Sequence, residues 1–368
     1  MKTTLIFAAA ALFAILILNR WVVSDLGLRS FGRVWQLYIS YSDFGFMRRG
    51  FVGTLLSASG ANTLFSNEYV FAHVVQFIAI TSLAVLTAIY CIRNNLSNPL
   101  FVFGIAFSPA LLTHSGYATG TLDVFVLLIA LVNILYVRSF LVFSVLILVG
   151  LLTHELFLFT LPAQFFALHL NYPSDRPALK PAYLVPFVVA MASTLLVLLF
   201  GAVKMPEAEF REVMRLYLPH AQDRHPLWSG YFEVGSPVAR SLSESHHLLV
   251  AIKEGTILFL LPLLVYVFLL TIRALQYAKS NGETALLIVA VSAPLLASFL
   301  ANDLHRWGGM AANMALLLTL RLAARDGNEA SKWNPLLAAC CFFAPFGAAE
   351  LERPFPLHYF VFEKLWAP

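Results

Sequence analysis

Long apolar runs broken by short polar clusters dominate the chain, with little of the strict alternation that strands would show. Runs of this kind read as helices crossing a hydrocarbon core, which takes about 20 residues for ~30 Å. They predict about eleven spans, at residues 4–23, 69–92, 99–114, 121–138, 140–154, 156–171, 182–203, 248–275, 284–301, 307–323 and 335–349. The stretch 139–171 is too long for one span and carries His154 and Glu155 in its middle, so it reads as a hairpin of two short helices. Two other segments have helical character without continuous apolarity. Residues 29–40 are expected to lie in the interface with Trp35 and Tyr38 at headgroup level. Residues 206–218 read as an amphipathic helix begun by Pro206, with Val213, Met214 and Leu216 for its apolar side. The remainder to Leu248, rich in Pro, Gly, Ser and His, reads as a mobile loop.

Composition agrees with this pattern. At 60% hydrophobic, 12% charged and a mean hydropathy of +0.78, the chain is expected to be all-α, a polytopic transmembrane helical bundle forming one domain over residues 1–368. Short basic loops set its orientation. Arg93, Arg138, Arg176, Lys180, Arg273, Lys279, Arg321, Arg325 and Lys332 all fall on one side if 139–171 is a hairpin. That side is read as cytoplasmic. The outer side then receives 24–68, the turns near 114–120 and 154–155, the segment 204–247, the turn 302–306 and a periplasmic tail, 350–368. Lys2 and the apolar run after it lack a cleavage signal and read as an uncleaved first span. Cys91, Cys340 and Cys341 sit in or beside apolar runs, which argues against a disulfide framework or zinc site, and a formal charge of +4 gives no reason to expect nucleic acid.

The outer side collects the charges that such a protein should otherwise avoid. Tyr41 to Gly53 holds Asp43 with Arg48 and Arg49 among aromatic residues, and Gly45, Gly50 and Gly53 would let backbone approach a ligand. Asp123 stands at the start of a span, where the helix dipole alone favours an acid. His154 and Glu155 occupy the hairpin tip, and an unpaired carboxylate there must be wetted or paired. Asp303, His305 and Arg306 form a turn in which Asp303 and Arg306 can pair with each other. Arginines facing acids suit a phosphate-bearing substrate and an acceptor hydroxyl. Arg48, Arg49 and Arg306 are the candidate phosphate ligands. Asp43, Asp123 and Glu155 are the candidate catalytic acids, with His154, Asp303 and His305 supporting them or binding the acceptor. A divalent cation, Mg or Mn, is compatible with this set, although no metal ligands can be assigned. The loop residues His220, His225, His246 and His247 match no metal spacing.

With Asp43 in the first outer loop, Asp123 in Gly-Thr-Leu-Asp, short spans and a long outer loop, the chain resembles the GT-C glycosyltransferases. Asp-Phe-x-x-Met-Arg-Arg-Gly, Thr-His-Glu and Asp-x-x-Arg-Trp also look like motifs of uncharacterised bacterial exopolysaccharide membrane proteins. The resemblance implies a bacterial inner-membrane enzyme with its active site facing the periplasm. It would move a sugar from an undecaprenyl-phosphate-type donor to a glycan or lipid acceptor. Asp43 would be the base, and one or more of Arg48, Arg49 and Arg306 would hold the lipid phosphate. The chain departs from the pattern in lacking an Asp-Asp or Asp-Glu pair at the first-loop position and a large periplasmic domain within its 368 residues. A polysaccharide polymerase or ligase, a lipid or oligosaccharide transporter, and a non-catalytic envelope-complex subunit are the alternatives.

Overall fold

Several helix starts are dictated by single residues. Asn67 Oδ1 accepts from the Tyr69 and Val70 amides at 2.9 and 3.2 Å, and Asn98 Oδ1 accepts from Phe101 at 3.1 Å. Each caps donors that the first turn leaves unpaired. Pro99 and Pro181 open helices where a missing N–H costs nothing.

The computed structural model describes residues 2–23, 31–112, 115, 120–172, 180–218, 261–299, 304–327 and 331–343. Among these the chain is helical throughout, with no strand. In chain order α1 is Lys2–Val23, followed by a 3-10 turn at Phe31–Leu37, α2 (Tyr41–Phe44), α3 (Gly50–Ala58), α4 (Glu68–Arg93) and α5 (Pro99–Ala106). Next come α6 (Asp123–Leu135), α7 (Phe140–Thr153), a 3-10 segment at Glu155–Thr160, α8 (Leu161–Asn171), α9 (Pro181–Phe200) and α10 (Glu207–Tyr217). After the segment 219–260, which lies outside the described residues, follow α11 (Leu261–Leu275), α12 (Asn281–Ser292) with a 3-10 extension to Phe299, α13 (Leu304–Asp326) and α14 (Asn334–Phe343).

α13 runs through the middle. Ala311, Ala312, Met314, Leu316, Leu318 and Leu322 are fully buried, so the helix is enclosed on every side by α6, α8, α11 and α12. α7 packs against α6 and α9, and α1 against α4. Among the described residues two helices, α4 and α9, are long and apolar enough to cross a membrane. α9 exposes Phe187, Val188, Leu195, Leu198 and Leu199, an outward apolar face of the kind that marks contact with lipid or protein. Of the other apolar helices, α5, α6 and α8 are shorter than expected, at 8, 13 and 11 residues. α7, at 14 residues, spans ~21 Å. α5 stops at Ala106 and its cap Phe107, just ahead of Ser108, which precedes Pro109 and is therefore biased out of the helical region.

The expected hairpin is present as a break in the helix at His154. Gly150 makes its return possible, since a Cβ there would lie 2.4 Å from the Phe157 ring. A second, smaller core sits beside the start of α6 and joins Trp35, Tyr38, Phe44, Met47, Phe210 and Met214 to Leu122. Trp35 and Tyr38 are thus buried at 4% exposure each, not placed at a headgroup surface as the interfacial reading expected. The apolar side of α10 holds Val213 and Met214 as expected but not Leu216. Phe210 and Met214 are buried while Leu216 is 79% exposed, because the 3.6-residue period aligns Phe210, Met214 and Tyr217. Gly53 serves backbone packing and not a ligand, since a Cβ there would lie 2.0 Å from the Ile39 carbonyl oxygen.

Candidate functional site

Four chain segments meet at one end of the bundle. Arg49 caps the start of α3 with φ at 64°, a left-handed conformation that L residues rarely adopt. From there its Nε donates to both Glu155 carboxylate oxygens at 3.0 Å, and Nη2 also donates to Oε1. The neighbouring Arg48 backbone is fixed by its N–H donating to the Gly201 carbonyl at 3.0 Å.

Asp123 occupies the first turn of α6, where the helix dipole favours its charge. Arg306, in the first turn of α13, reaches it with Nε at 2.6 Å from Oδ2 and Nη2 on Oδ1. Both side chains are mostly buried, at 15% and 9% exposure. The Arg306 guanidinium also stands 5.7 Å from the centre of the Trp307 ring, and that ring in turn lies beside Phe159.

His154 joins the two ion pairs. Its side chain is fully buried, with Nε2 at 3.2 Å from Arg306 Nη2 and Nδ1 at 3.4 Å from Glu155 Oε2. The Leu156 amide donates to Nδ1 at 3.1 Å. Burial pushes the imidazole down to about 3, aided by the charge of Arg49 and, more weakly, Arg306, against Glu155 and Asp123. His154 is therefore neutral at ordinary pH. For Glu155 burial alone would raise the carboxyl, but Arg49, through its charge and its hydrogen bonds, and Arg48 outweigh it and hold the group well below the usual range.

Three guanidiniums and two carboxylates thus act on one another through Arg48, Arg49, Arg306, Asp123 and Glu155, across separations of 106 and 183 residues between pair members. The crevice under the Asp123–Arg306 pair is closed to about 10 Å³, room for roughly one water. Ser115, Gly309, Met310 and Asn313 complete its wall.

Asp43 stands apart from this chain of contacts. Its Oδ2 accepts from Ser40 Oγ at 2.5 Å and from the Tyr217 hydroxyl at 3.0 Å, and its own amide is capped by Ser40. Phe44 meets Phe210 with ring centroids 4.7 Å apart, so α10 covers α2 and positions Tyr217. Burial raises the Tyr217 hydroxyl, and its bond to Asp43 raises it further, so it stays a donor. Ser40 and Tyr217 escaped sequence reading. The i, i+4, i+7 stripe of Phe210, Met214 and Tyr217 was the available signal.

Asp303 lies outside the described residues, as do the side chain of His305 and the histidines of the 219–260 segment. The expected Asp303–Arg306 turn pair therefore falls outside the described residues, and Arg306 is seen to pair with Asp123. Among the described residues no three His, Cys, Asp or Glu side chains gather closely enough to hold a metal ion. The chain matches no known protein family, no curated protein and no solved structure.

Proposed function

We propose that the protein is a membrane glycosyltransferase that uses a polyprenyl-phosphate-linked sugar. The observation that carries this reading is the gathering of Arg48, Arg49 and Arg306 with Asp123 and Glu155, beside a further acid, Asp43, held on the same folded segment as Arg49. A donor phosphate would exchange with the carboxylates for the forks of Arg49 and Arg306, which suit its oxygens equally well. Asp43 would accept the acceptor hydroxyl's proton through Oδ1. The acceptor oxygen would then bond to the anomeric carbon while the bond from that carbon to the phosphate oxygen breaks. The polyprenyl phosphate would leave with the electron pair, its charge met by the arginines.

In this reading the chain is a bacterial inner-membrane bundle of about eleven spans of GT-C type, with the site facing the periplasm. The apolar outer face of α9 and the length of α4 support a membrane location. A glycan or lipid acceptor is expected, and a Mg or Mn ion would have to compete with the arginines for Asp123 and Glu155.

The test is sugar transfer in vesicles supplied with undecaprenyl-phosphate sugar, with release of undecaprenyl phosphate as readout. Asp43→Asn and Arg306→Gln should each lower turnover at least ~100-fold. Full activity in both variants, with protein of normal stability, would sink the assigned site, and absence of transfer by the wild type would sink the proposal and favour a non-catalytic subunit. Closed ion pairs are what that second reading also predicts.

A further inference from the structure

The helices that carry the candidate site gather a second set of guanidiniums at their other ends. α6 begins with Asp123 and ends at Leu135, three residues before Arg138; at 13 residues it separates the two ends by ~20 Å. α13 holds Arg306 in its first turn and Arg321 and Arg325 in its last two. Arg138 Nη1 donates to Asn171 Oδ1 at 3.0 Å, and Arg321 Nη2 donates to the same oxygen. An amide oxygen has two lone pairs but carries no net charge, so it orients two cations without neutralising them. Among the described residues neither Arg138 nor Arg321 has a carboxylate partner. Arg325, one turn beyond Arg321, is the one held by acids, Asp326 at 3.2 Å and Glu283 at 3.7 Å.

These three arginines border a cavity of about 210 Å³ together with Tyr90 and Asn94. Tyr90 is only 3% exposed, and its hydroxyl is sealed from solvent with no hydrogen-bond partner among the described residues. A buried donor lacking an acceptor, next to two cations lacking an anion, calls for one ligand with several anionic oxygens.

We propose that this cavity binds a phosphate group, with Arg138 and Arg321 engaging its oxygens and the Tyr90 hydroxyl donating to it. The volume is about twenty times that of the one-water crevice beside Asp123, enough for a phosphate or a phosphomonoester head. It falls short of the ~300 Å³ where pockets for larger small molecules begin, which excludes a nucleotide. The basic loops read as cytoplasmic meet here, so the phosphate is either free in solution or the headgroup of a lipid in the adjoining leaflet. The site is independent of the transferase reading.

The experiment uses the full chain in a neutral detergent and measures its thermal unfolding with sodium phosphate against sodium chloride at matched ionic strength. It is then repeated in nanodiscs of phosphatidylcholine with and without phosphatidate. Either phosphate or phosphatidate should raise the midpoint by about 2–5 °C. Arg321→Gln and Tyr90→Phe should each remove most of that rise. A response to free phosphate marks a soluble ligand; a response to phosphatidate alone marks a lipid. No rise with either probe, or a rise undiminished in the variants, overturns the site. Tyr90→Phe deletes one oxygen from a packed ring, so it decides the matter if Arg321→Gln fails to fold.

Discussion

His154 Nε2 and Arg306 Nη2 stand 3.2 Å apart across 152 residues of sequence, and this contact links the Arg49–Glu155 and Asp123–Arg306 pairs into one network. A guanidinium donates only, so the facing nitrogen must present a lone pair, which leaves Nδ1 to carry the single proton toward Glu155. The Leu156 amide competes for the same Nδ1 with the opposite demand. The Nδ1–H tautomer therefore satisfies Arg306 and Glu155, and the Nε2–H tautomer satisfies the Leu156 amide. In either tautomer it is neutral.

That neutrality sets a pH dependence. The folded imidazole titrates at about 3 against an ordinary value of 6.5, so the unfolded chain takes up the proton first. The stability tied to His154 is complete above about pH 6.5 and is lost progressively as pH falls toward 3. Glu155, held well below its ordinary 4.5, adds a loss in the same direction that begins only below about pH 4.5. Thermal unfolding of wild type and His154→Gln from pH 7.5 to 4.5 should show the wild-type midpoint falling faster below pH 6.5. Parallel curves would mean that His154 accepts a proton without resistance.

The Asp123–Arg306 pair should behave as a unit. Asp123→Asn leaves a mostly buried cation without its carboxylate and should cost about 3 kcal/mol. Removing Arg306 as well should cost less than the sum of the single losses, with a coupling of about 1–3 kcal/mol. A double-mutant cycle measured by denaturant unfolding checks this. Additivity within ~0.5 kcal/mol would mean that the two side chains do not interact in solution.

The helices were more legible than their partners. The break at His154–Glu155 could be read because two polar residues interrupt an otherwise apolar run, and Pro99, Asp123 and Pro181 announce their helices directly. That Arg49, Asp123, Glu155 and Arg306 emerge on one side followed from the sidedness of basic loops. Which acid meets which arginine did not, because partners 106 and 183 residues apart leave no local pattern. Trp35 and Tyr38 were misplaced because an aromatic residue at a membrane surface and one buried under a helix have the same sequence signature. On α10, Val213 and Met214 were placed correctly on the apolar side, whereas Leu216 was not; the helical period adds Phe210 and Tyr217 to that side instead.

Arg49 combines an ion pair with a backbone cost, and the two can be separated. Its φ of 64° costs an L residue about 1 kcal/mol, which glycine does not incur. Arg49→Ala and Arg49→Gly both remove the partner of Glu155, so the difference between them reports the backbone alone. The glycine variant should be the more stable by about 1 kcal/mol in denaturant unfolding. If alanine matches or exceeds glycine, the left-handed conformation at Arg49 is not retained in solution.

Tyr217 offers a test of whether Asp43 needs its cover. The hydroxyl remains protonated because burial and the adjacent Asp43 both raise it, so it donates steadily to Oδ2 and leaves Oδ1 as the open oxygen among the described residues. Tyr217→Phe keeps the ring beside Tyr38, 6.0 Å between centroids, and removes only this bond. If Asp43 is the base, loss of the donor frees the carboxylate to rotate, and turnover should fall about tenfold, equivalent to ~1.4 kcal/mol, with the donor KM unchanged. Phe210→Ala acts differently, since it empties a fully buried site and should loosen all of α10 at a cost of about 3–5 kcal/mol. Its loss of activity should track loss of folded protein, whereas that of Tyr217→Phe should persist in fully folded protein. Should Tyr217→Phe retain full turnover, the bond to Asp43 is structural and the search for the base moves to Asp123 and Glu155, both already held by arginines.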